Sequence, residues 1–203
     1  MGKVVVQATM SLDGFIADPS GRVGPLFDWY GNGDVEVTGA DSDRVFRVSA
    51  ASAEYLRSAW SNVGPGVIGR RLFDITDGWG GKPPVGDAVF VVTHRVPAEW
   101  IEAHQDAPFT FVTDGVASAL AKAQAVAGDR VVSLTAGDMA GQALAAGLVD
   151  ELRVDLVPVL LGAGVRYFGD FTGAEQLLEN PAVVEGNRVT HLHYRVRKPS
   201  GSQ

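Results

Sequence analysis

The sequence contains no cysteine. Disulfides, iron–sulfur clusters, thiolate zinc sites and cysteine nucleophiles are excluded together by that one absence. Long apolar runs are missing too. The longest candidate, Leu156 to Val165, is interrupted by Pro158, Gly162 and Gly164, well short of the roughly 20 apolar residues that cross a bilayer. The chain turns polar at Gln7, too early for the apolar core of a secretory leader. Val6 stands where myristoylation needs a hydroxyl. Basic residues are the minority, with 17 Lys and Arg against 24 Asp and Glu and a net charge of −7. This balance disfavours a nucleic-acid partner but leaves room for a local basic pocket holding a phosphorylated small molecule. A cytoplasmic protein with no membrane and no nucleic-acid partner is the expectation.

What is present is a 203-residue chain with 46% apolar and 20% charged residues, enough for a sizeable core. The length predicts a single domain over 1–203, ending in a disordered tail at 198–203. Short β-rich runs alternate with helical stretches. Residues 3–9, 66–69, 88–93, 109–113, 130–136 and 152–160 read as strands, and 188–197 as a late antiparallel strand. Helices are predicted at 43–60, 116–127 and 139–146, the last two ended by Gly128 and Gly147. In the first helix Ser49 and Ser52 fall on the predicted solvent face. Residues 18–41 hold so many glycines and prolines that they read as one long shaped loop. The alternation predicts an α/β fold with helices on both faces of a sheet.

Open parallel sheets bind ligands beyond the carboxyl ends of their strands. Three such ends carry donor-rich turns: Gly69-Arg70-Arg71, Thr93-His94-Arg95, and Gly137-Asp138-Met139-Ala140 leading to Gly141. Glycine lets backbone approach a phosphate, a helix start offers free N–H groups, and arginine supplies a fork. An elongated, multiply phosphorylated ligand such as a nicotinamide dinucleotide fits, and the basic turns favour the 2′-phosphate of NADPH. Plainer roles stand beside these. Gly137 and Gly141 also suit a tight turn and close helix packing, and adjacent Arg70 and Arg71 cannot both face one ligand. No G-x-G-x-x-G follows the first strand.

Several blocks recur together in one known family: Ser11-Leu12-Asp13-Gly14-Phe15-Ile16-Ala17, then Val67 to Asp74, then Val91 to Arg95. Ala145 to Leu152 and Pro158-Val159-Leu160-Leu161-Gly162 complete the set. Over residues 3–197 the chain resembles the riboflavin-biosynthesis reductase domains, the C-terminal part of a bifunctional deaminase–reductase. The resemblance implies a dihydrofolate reductase-like fold, with a mostly parallel central sheet and an antiparallel C-terminal strand. It also implies an NADPH-dependent reductase acting on a small heterocyclic or ribosylamino substrate, of the 5-amino-6-(5-phosphoribosylamino)uracil type.

By the same resemblance, Gly69, Arg70, Arg71, Thr93, His94 and Arg95 hold the adenosine 2′-phosphate side. Gly137, Asp138, Met139 and Ala140 hold the pyrophosphate, with the Asp138 side chain turned away from it. The family's Gly-Gly is here Ala136-Gly137. The loop from Asp13 to Ala17 covers the nicotinamide, leaving Ala8 and Ile16 against the ring.

A proton donor is also required, and Asp13 and Glu54 are the candidates, with turn stabilisation as the plain role of Asp13. Trp29, Tyr30 and Trp79 are candidate walls for a flat substrate, or else core residues. Pro158 marks an edge or a bulge in its strand. His191 and His193 alternate on one strand, but with no third ligand they read as surface or interface residues, and no metal is expected. The strand carrying Tyr194 reads as an edge able to pair with a second copy, and the resemblance implies a homodimer. No counterpart of the bifunctional enzymes' deaminase part is expected within these residues, its zinc site needing cysteine. Two other functions remain: a dihydrofolate or dihydropteridine reductase, and an NADP(H)-binding protein without turnover.

Overall fold

The computed structural model describes residues 2–198. Of the tail expected to be disordered, only Lys198 falls within them, and its ammonium pairs with Asp150; the remainder of that expectation lies outside the described residues. The chain begins with β1 (Val4–Ser11), β2 (Phe15–Ala17), a 3-10 segment (Gly24–Gly31) and the strands β3 (Val35–Thr38) and β4 (Val45–Val48). There follow α1 (Ala50–Trp60), β5 (Val63–Gly69), α2 (Arg70–Thr76), a second 3-10 segment (Asp77–Gly81) and β6 (Ala88–Val92). Next come α3 (Ala98–Ala103), β7 (Phe109–Val112), α4 (Val116–Ala127), β8 (Val131–Thr135) and α5 (Asp138–Ala145). The last strands are β9 (Glu151–Val157), β10 (Val165–Arg166), β11 (Ala182–Gly186) and β12 (Val189–Arg195).

Eight strands form one sheet in the order β11-β12-β9-β1-β8-β5-β6-β7. The run from β9 to β7 is parallel throughout, and β12 lies antiparallel to both β9 and β11. Side chains alternate between the faces of a strand. On one face Val4, Val6, Val67, Val132 and Leu134 pack with Leu120, Ala123, Ala140 and Ala143 of α4 and α5. On the other face α1 and the first 3-10 segment bury Val157 and Val189 at one side. There α2 contributes Phe73, packed with Ile68, Val89 and Val91 at the other side. Between α1 and α2 the central strands present Gln7, Ser133 and Thr135, all half-buried. A polar floor is thus left open between two apolar walls.

Several sequence expectations need correction. The helix predicted over 43–60 begins only at Ala50, because Ser49 caps it by accepting the Ser52 amide. The preceding Val45–Val48 is a strand paired with Val35–Thr38, where β-branched side chains suit a pleat better than a helix. The loop predicted over 18–41 therefore contains a hairpin strand and a 3-10 segment. Strand β9 stops at Val157, so Pro158 follows the strand instead of interrupting it. The strand carrying Tyr194 is not an edge, since β11 pairs with its outer side.

Near the amino ends of β1 and β9, Glu151 accepts Lys3 Nζ at 2.5 Å and His193 Nε2 at 2.8 Å. Burial acts most strongly on this carboxyl and raises its pKa. The hydrogen bonds and charges of Lys3 and His193 outweigh burial, holding the pKa below its ordinary 4.5. A depressed folded-state value gives stability that is present above the unfolded value and lost as pH falls through the folded one. Glu151→Gln is therefore expected to cost about 2 kcal/mol at pH 7. The gap to the wild type should narrow below pH 4.5, as read from urea midpoints; a gap constant between pH 7 and pH 3 contradicts the linkage.

Candidate active site

The three turns singled out in the sequence follow β8, β5 and β6, which are adjacent in the sheet. Strands lie about 4.8 Å apart, so the turns form one continuous rim. Gly69, at the start of α2, faces the turn after β8: a methyl group placed on it would lie 3.5 Å from Met139 Cε. Gly137 has φ 108° and free space where a Cβ would stand. Its own amide donates to the Tyr167 carbonyl at 2.8 Å. Gly141 carries the close packing, because a Cβ there would meet the Phe168 carbonyl oxygen at 2.3 Å. The Asp138 side chain lies beside Gly169, where a Cβ would meet its Oδ1.

At the far end of the rim Arg70 ties α2 to the loop after β6. Its Nε donates to Asp74 at 2.7 Å, and its Nη1 to the Arg95 carbonyl at 2.6 Å and Thr93 Oγ1 at 3.3 Å. Thr93 is buried, and its hydroxyl donates to the Arg95 carbonyl and accepts the Arg95 amide. A groove of about 450 Å³ opens here, lined by Arg70, Arg95, Pro97 and Trp100 among others. Arg71 diverges, as adjacency requires: its Nη2 donates to the Pro19 carbonyl at 3.3 Å, beneath Gly21.

The rim continues past β8 to β1 and β9. Asp13, after β1, accepts the Ser11 hydroxyl and the amides of Leu161 and Gly162. These bonds, Ser11 first, hold its carboxyl below the ordinary range. The carboxylate thus staples the loop after β1 to the loop after β9. Tyr167 N donates to Gly14 O, closing the same loop from the other side. Ala8, Ile16, Ala136 and Met139 all border the core under α4 and α5.

A profile of the RibD C-terminal domain family matches residues 82–187, just over half of the chain. The chain belongs to the RibD C-terminal domain family. It is 22% identical over 192 residues to YwjB of Bacillus subtilis (strain 168), described as uncharacterized, covering 95% of this chain and 97% of that protein. It is similar in structure to a putative riboflavin biosynthesis protein from Shewanella sp. PV-4, with a TM-score of 0.68 and 22% identity. That likeness covers 98% of this chain and all of the other. A diaminohydroxyphosphoribosylaminopyrimidine deaminase/5-amino-6-(5-phosphoribosylamino)uracil reductase from Thermotoga maritima gives a TM-score of 0.57 at 11% identity. There the likeness takes in 97% of this chain but only 57% of the other. The expected dihydrofolate reductase-like α/β fold is the one found.

Within this RibD C-terminal domain fold, some candidates change role. Trp29 is 1% exposed and belongs to the core with Leu26, Val48 and Leu56, so it is no pocket wall. Its ring stacks on Tyr30 at 3.8 Å. Trp79 is half-buried against Ile68 and Phe73. Ala140 is buried in the core and its amide bonds Gly137 O; it supplies packing to the turn, not contact. His94 and Arg95 are exposed. Glu54 lies on the exposed side of α1. Ser52, expected beside it on the solvent face, is instead buried. Asp13 has its oxygens engaged by donors and its acidity increased, which suits a staple better than a proton donor.

The sequence reading missed one cluster. His191, expected at a surface or interface, is 1% exposed. Its Nδ1 meets Asp155 Oδ1 at 2.6 Å and its Nε2 meets Ser52 Oγ at 2.9 Å. Tyr55 stacks on its ring at 4.1 Å and Trp29 meets it edge-on at 5.2 Å. A signal existed, since Asp155 is a lone acid within the apolar run 152–160. Among the described residues, no group of three or more His, Asp or Glu is placed to hold a metal, and no helix is long and apolar enough to cross a membrane.

Proposed function

We propose that this chain is an NADPH-dependent reductase of a pyrimidine carrying a phosphoribosylamino group, of the 5-amino-6-(5-phosphoribosylamino)uracil type. The observation that carries this reading is the continuous rim of turns on β1, β8, β5 and β6, basic at one end and open at Gly137. The residues present fit the cofactor. Arg70 and Arg95 border a groove at the end where a 2′-phosphate would need a fork. Gly137 leaves space where a side chain would block a pyrophosphate, and the Asp138 carboxylate lies beside Gly169. The half-buried floor of Gln7, Ser133 and Thr135 offers hydrogen-bonding groups to a heterocycle lying between α1 and α2.

When bound, a reduced nicotinamide supplies hydride. The chain's own task is to hold the two partners in line and exclude water. The loop from Asp13 to Ala17, stapled at Asp13 and paired through β2 to β10, would cover that end of the rim. The Thermotoga maritima protein's printed activity includes reduction of such a pyrimidine, which supports the substrate class. A cytoplasmic homodimer is part of the same reading, supported by the family resemblance.

The test is equilibrium titration of the purified chain with NADPH and NADH, followed by turnover with 5-amino-6-(5-phosphoribosylamino)uracil. NADPH should bind at least about 10-fold more tightly than NADH, the value of one charge-assisted contact of about 1.5–3 kcal/mol. The pyrimidine should be reduced with oxidation of NADPH. Failure to bind either nucleotide overturns the reading. Binding without turnover leaves a nucleotide-binding protein, and preference for dihydrofolate would move the substrate class.

A further inference from the structure

The buried Ser52 and His191 and the half-buried Asp155 lie in the order of a nucleophilic triad, but the open end is the wrong one for that chemistry. Ser52 is closed in: a methyl group on Gly186 would stand 2.2 Å from its Oγ, so no substrate reaches the hydroxyl. Hydrogen bonds run one way along the line. Ser49 Oγ donates to Ser52 Oγ at 3.1 Å. Assigning the protons from the network, Ser52 then donates to His191 Nε2, and His191 Nδ1–H donates to Asp155. The line ends at a carboxylate whose side chain is 14% exposed. Its second oxygen has no hydrogen-bond donor among the described residues. That oxygen is left to take up a proton or to accept a ligand's N–H.

The position of Asp155 suits a ligand. It stands opposite Thr9 in the β1–β9 register, while Gln7 stands opposite Thr135 of β8. Continuing that register by two residues brings Thr9 level with Gly137. Asp155 is then two strand spacings, about 10 Å, from the proposed pyrophosphate turn and on the face of the polar floor. The titratable groups facing it are His191 on β12, Tyr30 on the first 3-10 segment, Tyr55 on α1 and Tyr167 after β10, with Arg153 two residues away on β9. Burial first, and then the charge of Asp155, push the Tyr30, Tyr55 and Tyr167 hydroxyls well above their ordinary range. None of the three phenols therefore competes as an acid near neutral pH.

We propose that Asp155 is the proton-handling residue of the reductase site, with His191 and Ser52 as the positioning residues that aim it. The inference rests on the reductase reading above. In the step, hydride from the reduced nicotinamide forms a C–H bond as the substrate's C=N or C=O π bond breaks. The nitrogen or oxygen takes a solvent proton relayed by Asp155, whose carboxylate binds that proton only for the transfer. The substrate carbon is reduced as the nicotinamide gives up its hydride, and the restored Asp155 carboxylate is steadied by His191 Nδ1–H.

The experiment compares wild type, Asp155→Asn, Ser52→Ala and His191→Gln as full chains. Asp155→Asn keeps an acceptor for His191 and nearly the same shape. It should lose about 100-fold in kcat with its NADPH dissociation constant within about 2-fold of wild type. Ser52→Ala and His191→Gln should lower kcat by smaller factors and leave KM for the pyrimidine nearly unchanged. A readout independent of turnover is nitrogen NMR of the imidazoles in the unliganded chain. It should show His191 protonated at Nδ1 in wild type, with that signal moved in Asp155→Asn. Wild-type activity retained in Asp155→Asn, or a His191 protonated only at Nε2, overturns the inference while the reductase reading stands. A wild type that oxidises no NADPH with the pyrimidine removes both.

Discussion

Replacing Trp29 with alanine should destabilise the chain by about 3–5 kcal/mol, the cost of emptying a large aromatic site in a packed core. Trp29 is 1% exposed and is the keystone between the first 3-10 segment and the sheet. Its ring stacks on Tyr30 and meets His191 edge-on, and Leu26, Val48 and Leu56 surround it. Trp29→Phe should cost much less, about 1–2 kcal/mol by loss of size alone. The indole Nε1 is buried without a hydrogen-bond partner, so phenylalanine gives up no bond and removes a donor that is costly to leave unmade. Urea midpoints at constant m-value would separate the two variants. An alanine variant within about 1 kcal/mol of wild type would return Trp29 to the pocket-wall role that its place in a glycine-rich segment suggested.

That contrast shows which parts of the molecule were legible in the sequence. Helix α4 was readable to the residue because its apolar spacing is regular and Gly128, with φ 63°, ends it. The strand ends were readable because their glycines and arginines sit in short blocks, each complete within a few residues. What failed was non-local. Val45–Val48 looks like the first turn of an amphipathic helix until β3 arrives to pair with it. Trp29 and Ser52 changed sides because their burial depends on β12, more than a hundred residues downstream.

The same separation hid the proton line: Asp155 and His191 are 36 residues apart, and Ser52 and His191 are 139 apart. No local spacing joins them. The charge of Asp155 in an apolar run was the one visible trace, and the alternation of His191 with His193 read as a surface or interface pair instead. One of those two histidines steadies a carboxylate near the rim and the other pairs with Glu151 at the far end of the same strands.

Arg70→Ala should weaken NADPH binding by roughly 10- to 100-fold, the value of about 1.5–3 kcal/mol for bonds to a charged group. NADH binding should change by less than about 3-fold, because the fork is directed at the end of the rim where the two cofactors differ. The loss should not come from unfolding. Thr93 and Arg95 still close their own turn through the Thr93 hydroxyl, and Arg70 is partly exposed. Arg70→Lys separates charge from shape: it keeps the cation but gives up the planar fork held between Asp74 and the Arg95 carbonyl. An intermediate loss is therefore expected for lysine. Arg71→Ala is the internal control, since that side chain reaches the Pro19 carbonyl and not the groove. Equal losses at both arginines would mean that general positive charge, not the geometry of the β5–β6 rim, holds the nucleotide; a loss confined to Arg70 assigns the fork.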